Sequence, residues 1–149
     1  MVSSKSWHAL KRYSGGDENR MKSISDQQLI RIAAQASRKA YAPYSRFPVG
    51  AALETKRGNC FSAGNVENAS FGLTICAERA AVCSAASAGP FRLKRVAVVT
   101  GKAGPVWPCG ACLQVLAEFG GPDTLILAAG LKNPARIKRK RLGDLLPEA

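Results

Sequence analysis

The sequence predicts an α/β protein, specifically a three-layer α/β/α sandwich built on a mixed five-stranded sheet. Three observations support this fold class. Helical and strand-like segments alternate along the chain, two apolar runs are continuous enough for strands buried on both faces, and two cysteine motifs stand where helices are predicted to begin. The 149 residues are one domain's worth of chain, enough to bury a single core.

The first predicted elements are a helix and a hairpin. The helix extends from Ser25 to about Tyr41, because a Ser-x-x-Gln capping-box pattern precedes apolar residues at helical spacing. The hairpin pairs Val49–Thr55 with Cys60–Val66, because residues 57–59 read Arg-Gly-Asn, a turn signal between two short apolar runs.

The remaining elements are predicted from apolar runs and from Gly and Pro stops. They are a second helix from about Cys76 to Gly89, a buried central strand at Arg95–Thr100, a third helix from about Cys109 to Phe119, a buried strand at Thr124–Ala128, a last strand near Ala135–Arg141 and a helical turn at Gly143–Leu146. Residues 1–22 are predicted to be a basic, polar, flexible tail, and residues 23–149 the folded domain.

Positive charge dominates the composition. Lys and Arg number 22 against 10 Asp and Glu, which gives a net charge of +12. Part of this charge stands in the last predicted strand, at Arg136, Lys138, Arg139, Lys140 and Arg141. Two interpretations are open: basic residues that protect an edge strand from pairing, which we favour, and a nucleic-acid-binding surface.

Cysteine usage predicts a reducing compartment, the cytoplasm. The chain has five cysteines, an odd number, and its first twenty residues lack the apolar stretch of a secretory signal. Metal ligation with spare thiols therefore explains the cysteines better than a disulfide framework does. No run approaches the ~20 apolar residues of a membrane span, so no membrane association is predicted.

The cysteine motifs predict a catalytic zinc site. Cys76-Ala-Glu-Arg and Pro-Cys-Gly-Ala-Cys offer three thiolates, from Cys76, Cys109 and Cys112, at predicted helix starts, where unsatisfied N–H groups favour thiolate over thiol. Three protein ligands leave the fourth zinc position open for water. We expect one Zn²⁺ per chain, with Glu78 moving the proton of that water and Arg79 offsetting the thiolate charge.

A structural zinc site is the competing interpretation, and it needs a fourth ligand. The possible donors are Cys83, Cys60 and His8. Cys83 lies seven residues beyond Cys76, which is roughly 10 Å along a helix and too far for the same ion. We predict instead that Cys60 and Cys83 are small buried hydrophobic residues and that His8 is exposed in the tail.

Together the two cysteine motifs resemble the cytidine deaminase family in its small, three-cysteine form. The resemblance extends to residues 41–52, which read Tyr-Ala-Pro-Tyr-Ser-Arg-Phe-Pro-Val-Gly-Ala-Ala, and to 65–71, which read Asn-Val-Glu-Asn-Ala-Ser-Phe. It covers about residues 23–147 and implies a cytidine deaminase-like fold and a homotetramer. It also implies zinc-dependent hydrolytic deamination of cytidine or 2′-deoxycytidine to uridine or 2′-deoxyuridine plus ammonia, a step of pyrimidine salvage.

The same resemblance implies roles for the residues around the metal. Asn65 and Glu67 match contacts to the ribose hydroxyls, Phe47 matches an aromatic ring against the pyrimidine, and the Ala77 backbone is expected near the base carbonyl. Glu78 is expected to carry the proton from water to the pyrimidine N3 and to assist ammonia departure. Without the resemblance, Asn65 would be interpreted as a turn residue and Phe47 as a core residue.

The chain departs from the family pattern at several positions. Leu113 stands where the family usually has an arginine, which leaves Arg79 as the single nearby cation and predicts more basic thiolates. Trp107 replaces a small hydroxyl residue and Phe71 a usual tyrosine, and both are expected to reshape the pocket. The sequence stops before a phenylalanine that stacks on the base in a neighbouring subunit's pocket, which predicts weaker substrate binding.

Two other functions stay open. The first is a cytosine deaminase that acts on RNA or single-stranded DNA, suggested by the net charge. Glu67 argues against it, because a carboxylate at the sugar repels the next phosphate. The second is a non-catalytic zinc module that binds RNA, and Glu78 argues against it, because a structural site needs no carboxylate there. A small nucleoside is therefore the favoured partner.

Overall fold

The computed structural model describes residues 24–101 and 104–146. The predicted tail and His8 lie outside the described residues. In chain order the elements are α1 (Asp26–Ser37), β1 (Val49–Thr55), β2 (Cys60–Gly64), a 3-10 turn (Phe71–Leu73), α2 (Ala77–Ser87), β3 (Leu93–Thr100), α3 (Gly110–Phe119), β4 (Leu125–Gly130), β5 (Asn133–Arg141) and α4 (Leu142–Leu145). The predicted order of helices and strands is confirmed.

The ends of α1 and β2 differ from their predicted positions for a shared reason, while bounds of β3, β4 and β5 differ by up to two residues. α1 ends at Ser37 rather than near Tyr41, and β2 ends at Gly64 rather than at Val66. Tyr41 instead forms a parallel bridge with Val66, and Val66 forms a second, antiparallel bridge with Ile75. These long-range backbone pairs take both residues out of their neighbouring elements and bring three loops together beside α2.

The five strands form one mixed sheet in the order β2-β1-β3-β4-β5. β3 and β4 are parallel, and the other neighbouring pairs are antiparallel. β3 is central and every residue of Arg95–Thr100 is buried, which confirms the predicted buried strand. β5 lies at one edge and is mostly exposed, as the edge-strand interpretation of its basic residues requires.

Helices cover both faces of the sheet and produce the predicted three layers. On one face, Leu29 and Ile30 of α1 pack with Val99 and Leu127. α1 lies so close to β1 that a Cβ at Gly50 would be 2.0 Å from the Ala33 carbonyl oxygen. On the other face, α2 and α3 contribute a second apolar cluster around Val96, Val98 and Ile126. No helix within the described ranges is long and apolar enough to cross a membrane.

A buried ion network ties α1 to the sheet. The Arg95 guanidinium donates to the carboxylates of Glu54 and Asp26 and to the Ile24 carbonyl oxygen. The Lys94 ammonium lies 3.3 Å from the same Glu54 carboxylate, which is only 1% exposed. The network joins β1, β3 and the start of α1, so it fixes the two layers that meet on that side of the sheet.

We expect Glu54→Gln to lower the free energy of unfolding by about 3 kcal/mol, because the substitution leaves the buried Arg95 charge only partly compensated. Urea unfolding at fixed protein concentration measures the change. Asp123→Asn is the matched control, because it breaks an ion pair with Arg141 whose carboxylate side is 88% exposed, and such pairs contribute less than about 1 kcal/mol. Equal losses in the two variants would contradict the importance of the buried network.

Candidate active site

The three predicted metal ligands meet where two helices begin. Cys76 is the N-cap of α2, Cys109 is the N-cap of α3, and Cys112 lies in the first turn of α3. Their sulfur atoms all lie within 4.8 Å of one another, and the Sγ atoms of Cys109 and Cys112 are 3.5 Å apart. In the described part of the chain, no other group of three or more His, Cys, Asp or Glu side chains is arranged to hold a metal ion.

This donor set fits zinc. A Zn–S distance of about 2.3 Å places the sulfurs of a tetrahedral site about 3.8 Å apart, close to the separations among these thiols. Thiolates are also soft ligands that favour zinc over hard cations such as Mg²⁺. Within the described residues there is no fourth protein ligand, so one coordination position stays open, as in catalytic zinc sites.

The two remaining described cysteines lie outside the site. Cys60 and Cys83 are both exposed, so the prediction that they are buried is wrong. Cys60 opens the edge strand β2, and Cys83 lies on a solvent-facing part of α2. Their exclusion from the thiol cluster agrees with the helical distance argument, and they serve as internal controls for the three clustered thiols.

A single arginine sets the electrostatics of the thiols. The Arg79 Nη2 atom donates to the Thr74 carbonyl oxygen at 3.0 Å and to the Cys76 sulfur at 3.7 Å. Hydrogen bonds from the Cys112 thiol and from Arg79 lower the pKa of Cys76, whereas donating to Cys76 and burial raise the pKa of Cys112. Of these two thiols, Cys76 therefore ionises first.

Leu113 supplies no charge beside these thiols. Its side chain is buried in the apolar cluster beneath α2 and α3. The Arg79 Nε atom is buried and lacks a hydrogen-bond partner in the described chain. Arg79 is thus a cation whose side chain reaches a thiol of the cluster, and its charge-offsetting role stays a prediction.

Glu78 occupies the first turn of α2, two residues after Cys76, and is 5% exposed. Burial raises the pKa of its carboxyl group, and the neighbouring Cys76 charge raises it further. A carboxyl group whose pKa is raised above its ordinary value both accepts and releases a proton more readily near neutral pH, which favours general acid–base catalysis.

A cavity of about 220 Å³ opens in front of the thiols and Glu78. Its wall contains most of the predicted site residues, namely Phe47, Asn65, Glu67, Cys76, Ala77, Glu78, Trp107 and Cys109. Cys112 and Arg79 do not line the cavity. Phe71 is 74% exposed and does not contribute to the wall; its ring lies 6.0 Å from the Tyr44 ring instead.

Asn65 and Glu67 anchor the loop that carries Phe47. The Asn65 Oδ1 atom accepts from the Val49 N–H at 2.8 Å, and its Nδ2 donates to the Phe47 carbonyl oxygen at 3.3 Å. The Glu67 carboxylate accepts from the N–H groups of Tyr44 and Ser45, at 2.9 and 3.2 Å, and from the Ser45 hydroxyl. These bonds, the Ser45 hydroxyl first, lower the pKa of Glu67 and keep it ionised.

Ser45 is a cavity residue that the sequence analysis missed. Its hydroxyl donates to Glu67 and accepts from the Phe47 N–H at 3.0 Å, so it links the carboxylate to the aromatic residue. Between them, Arg46 has a φ of 53°, a left-handed conformation that non-glycine residues rarely adopt. Strain of this kind persists where surrounding bonds hold it in place. The sequence offered no signal for this link, because it depends on a residue 22 positions away.

We expect Ser45→Ala to raise the KM for a small substrate bound in the cavity about tenfold while kcat changes little. The substitution releases one Glu67 oxygen and the Phe47 N–H, and a hydrogen bond to a charged group contributes about 1.5–3 kcal/mol. Glu78 and the thiols keep their places. Steady-state kinetics provide the measurement, and Ser45→Thr, which retains the hydroxyl, is expected to restore the KM. A loss confined to kcat would contradict this positioning role.

Comparison with known proteins adds independent findings. Residues 23–128 match the sequence profile described as the cytidine and deoxycytidylate deaminase zinc-binding region. The chain is 50% identical over 117 residues to a cytidine deaminase of Mycobacterium tuberculosis, covering 78% of this chain and 83% of that protein. It is 47% identical over 123 residues to a cytidine deaminase of Halalkalibacterium halodurans, covering 83% and 92% respectively.

Comparison with solved structures also finds similarity to cytidine deaminases. The crystal structure of cytidine deaminase from Burkholderia pseudomallei superposes with a TM-score of 0.77 at 45% sequence identity. The match covers 85% of this chain and 99% of that one. The three clustered thiols lie within residues 23–128, the segment that matches the family profile.

Proposed function

The chain belongs to the cytidine and deoxycytidylate deaminase family, and from this premise we propose that it hydrolyses cytidine and 2′-deoxycytidine to uridine and 2′-deoxyuridine with release of ammonia. One observation carries the proposal: a cluster of three thiols suited to zinc contributes two of its members to the wall of one cavity, where a buried carboxyl group also lies. The reaction consumes water and breaks the exocyclic C–N bond of the base. Its place in metabolism is pyrimidine salvage.

Each residue around the thiol cluster has its own role in the proposed deamination. Cys76, Cys109 and Cys112 would hold the zinc ion, which would lower the pKa of water to about 7 and so supply a nucleophile at neutral pH. Glu78 takes a proton from the attacking water and passes it to N3 of the base. Glu78 then assists departure of the amino group as ammonia. Arg79 offsets the negative charge of the ligands.

Other residues of the cavity wall would orient the substrate. We assign the ribose hydroxyls to Asn65 and Glu67, the pyrimidine face to Phe47, and the base carbonyl to the Ala77 backbone. The ionised Glu67 supports a nucleoside substrate, because it accepts hydrogen bonds from sugar hydroxyls and repels phosphate. Trp107 narrows the cavity at the end where α3 begins. Phe71 does not line the cavity, so it would shape a pocket only through contact with a neighbouring subunit.

A turnover panel tests the proposed reaction. Purified protein is incubated with cytidine, 2′-deoxycytidine or a cytosine-bearing oligonucleotide, and deamination is followed by ultraviolet absorbance and ammonia release. We expect both nucleosides to react and the oligonucleotide to stay intact. Reaction of the oligonucleotide alone would overturn the proposal and assign the chain to nucleic-acid deamination.

We also propose that the protein is a homotetramer. Beside the cavity loops lies an exposed apolar face, which consists of Tyr41, Tyr44, Val66, Phe71, Leu73 and Ile75. Exposed apolar surfaces of this kind are typical of subunit interfaces. Packing of this face against other copies would close the cavity from outside. A cytoplasmic location is consistent with the same site, because zinc binding requires the thiols to stay reduced.

We expect Phe71→Asp/Leu73→Asp to shift the protein from a four-chain assembly to smaller species, because the two charges prevent burial of the apolar face. Sedimentation equilibrium measures the mass. Ser62→Asp/Asn59→Asp, which adds the same charge at exposed polar positions of the β1–β2 hairpin, is the control and is expected to leave the mass unchanged. A native protein that sediments as a monomer would refute the assembly.

A further inference from the structure

Both faces of β5 carry basic side chains, but only one face pairs them with carboxylates. Five of the six residues from 136 to 141 are Lys or Arg. Lys140 lies opposite Ile126, which belongs to the core beneath α2 and α3, whereas Arg139 lies opposite Leu127, which belongs to the core beneath α1. Ile137 packs against the core beneath α1, like the position of Arg139. Because strand side chains alternate between faces, the opposite face carries Arg136, Lys138 and Lys140, which we call the β5 cation row.

Acidic partners neutralise only the other face. Arg139 and Arg141 form ion pairs with carboxylates between 2.8 and 3.6 Å away, those of Asp26, Asp123 and Asp144. No carboxylate in the described ranges forms an ion pair with a member of the β5 cation row. Edge protection explains why β5 is basic. It does not explain why one face is neutralised and the other is left fully charged.

The β5 cation row begins beside the cavity. The Lys140 ammonium lies 5.6 Å from the centroid of the Trp107 ring, and Trp107 lines the cavity. Residues two apart in a strand are separated by about 6.6 Å, a spacing comparable to that of neighbouring phosphates in an extended polynucleotide. A line of cations next to an aromatic ring is the composition of surfaces that bind single-stranded nucleic acid.

We propose that the β5 cation row binds the phosphate backbone of a single-stranded nucleic acid, as a partner and not as a substrate. The row lies on the sheet edge, outside the cavity wall, so bound phosphates stay away from the ionised Glu67. The net charge of +12 adds long-range attraction for a polyanion. Binding by the row does not require deaminase activity and can be measured separately from it.

Fluorescence anisotropy with a labelled oligouridylate of about 12 nucleotides tests this proposal, since uridine cannot be deaminated. The test variant replaces the whole row: Arg136→Gln/Lys138→Gln/Lys140→Gln. The control removes the same charge from exposed residues on and after α1, across the sheet: Arg31→Gln/Arg38→Gln/Lys39→Gln. We expect the row variant to bind at least about tenfold more weakly and its salt slope to fall by about 2. The control is expected to stay within about threefold.

Several outcomes would overturn the proposal. Equal weakening in both variants would show that net charge alone attracts the oligonucleotide. Tighter binding of a duplex of the same length would reject the single-stranded partner. Equally effective competition by polyglutamate would reassign the row to an acidic protein. Circular dichroism melting checks that each variant folds, and Lys138→Gln alone, at an exposed position, is expected to weaken binding about twofold to threefold if the triple variant does not fold.

Discussion

Glu78→Gln is expected to lower kcat for cytidine by about 10³-fold while the protein retains one zinc per chain. The amide has the shape of the carboxyl group but accepts no proton from water, so the attacking water is not activated and N3 is not protonated. Glu78 is nearly buried at the cavity wall. Among the described residues the other carboxyl group that lines the cavity is that of Glu67, which is bound to the Tyr44 and Ser45 N–H groups. Steady-state kinetics and zinc analysis of the same sample provide the two measurements.

Glu118→Gln is the matched control for this substitution. It makes the same chemical change on α3 at an exposed position outside the cavity, and we expect wild-type kinetics from it. Together the two variants separate loss of a catalytic group from a general change in charge. If Glu78→Gln kept full turnover with one zinc per chain, Glu78 would have no catalytic role, and a catalytic function for the zinc would need another proton carrier.

Much of the fold could be predicted because its signals are local. The capping box at the start of α1 forms as expected, with reciprocal hydrogen bonds between Ser25 and Gln28. The continuous apolar run of β3 becomes the central strand, since only a strand covered on both faces can bury side chains of both parities. The helix starts at Cys76 and Cys109 were likewise visible in sequence, and they bring the ligands together.

Contacts between residues far apart in sequence set the helix and strand ends, and the cavity link, that the sequence did not predict. The bridge between Tyr41 and Val66 depends on residues 25 positions apart, so neither boundary that it alters carries a local signal. The link from Ser45 to Glu67 has the same origin. The exposure of Cys60 and Cys83 was missed because thiol hydrophobicity predicts burial on average and does not identify which side of an edge strand or helix is covered.

Cys112→Ser is expected to abolish zinc retention and, with it, more than about 10³-fold of the activity. A serine hydroxyl stays protonated near neutral pH and is a poor zinc ligand, so only two thiolates remain for an ion that needs three protein ligands here. The position is buried in the first turn of α3, so serine fits the space without crowding. Zinc analysis after gel filtration measures the loss.

Cys83→Ser makes the same atom replacement at an exposed thiol outside the cluster and is expected to keep both zinc and turnover. Each variant removes one cysteine, so a difference between them shows that zinc binding depends on where the cysteine lies and not on how many cysteines the chain has. Because each ligand must lose a proton to bind, wild-type zinc retention should fall as the pH falls. Donating to Cys76 and burial raise the pKa of Cys112, so protons should compete for Cys112 before they compete for Cys76. Zinc retention in Cys112→Ser equal to that of Cys83→Ser would place the metal elsewhere and remove the basis for the proposed chemistry.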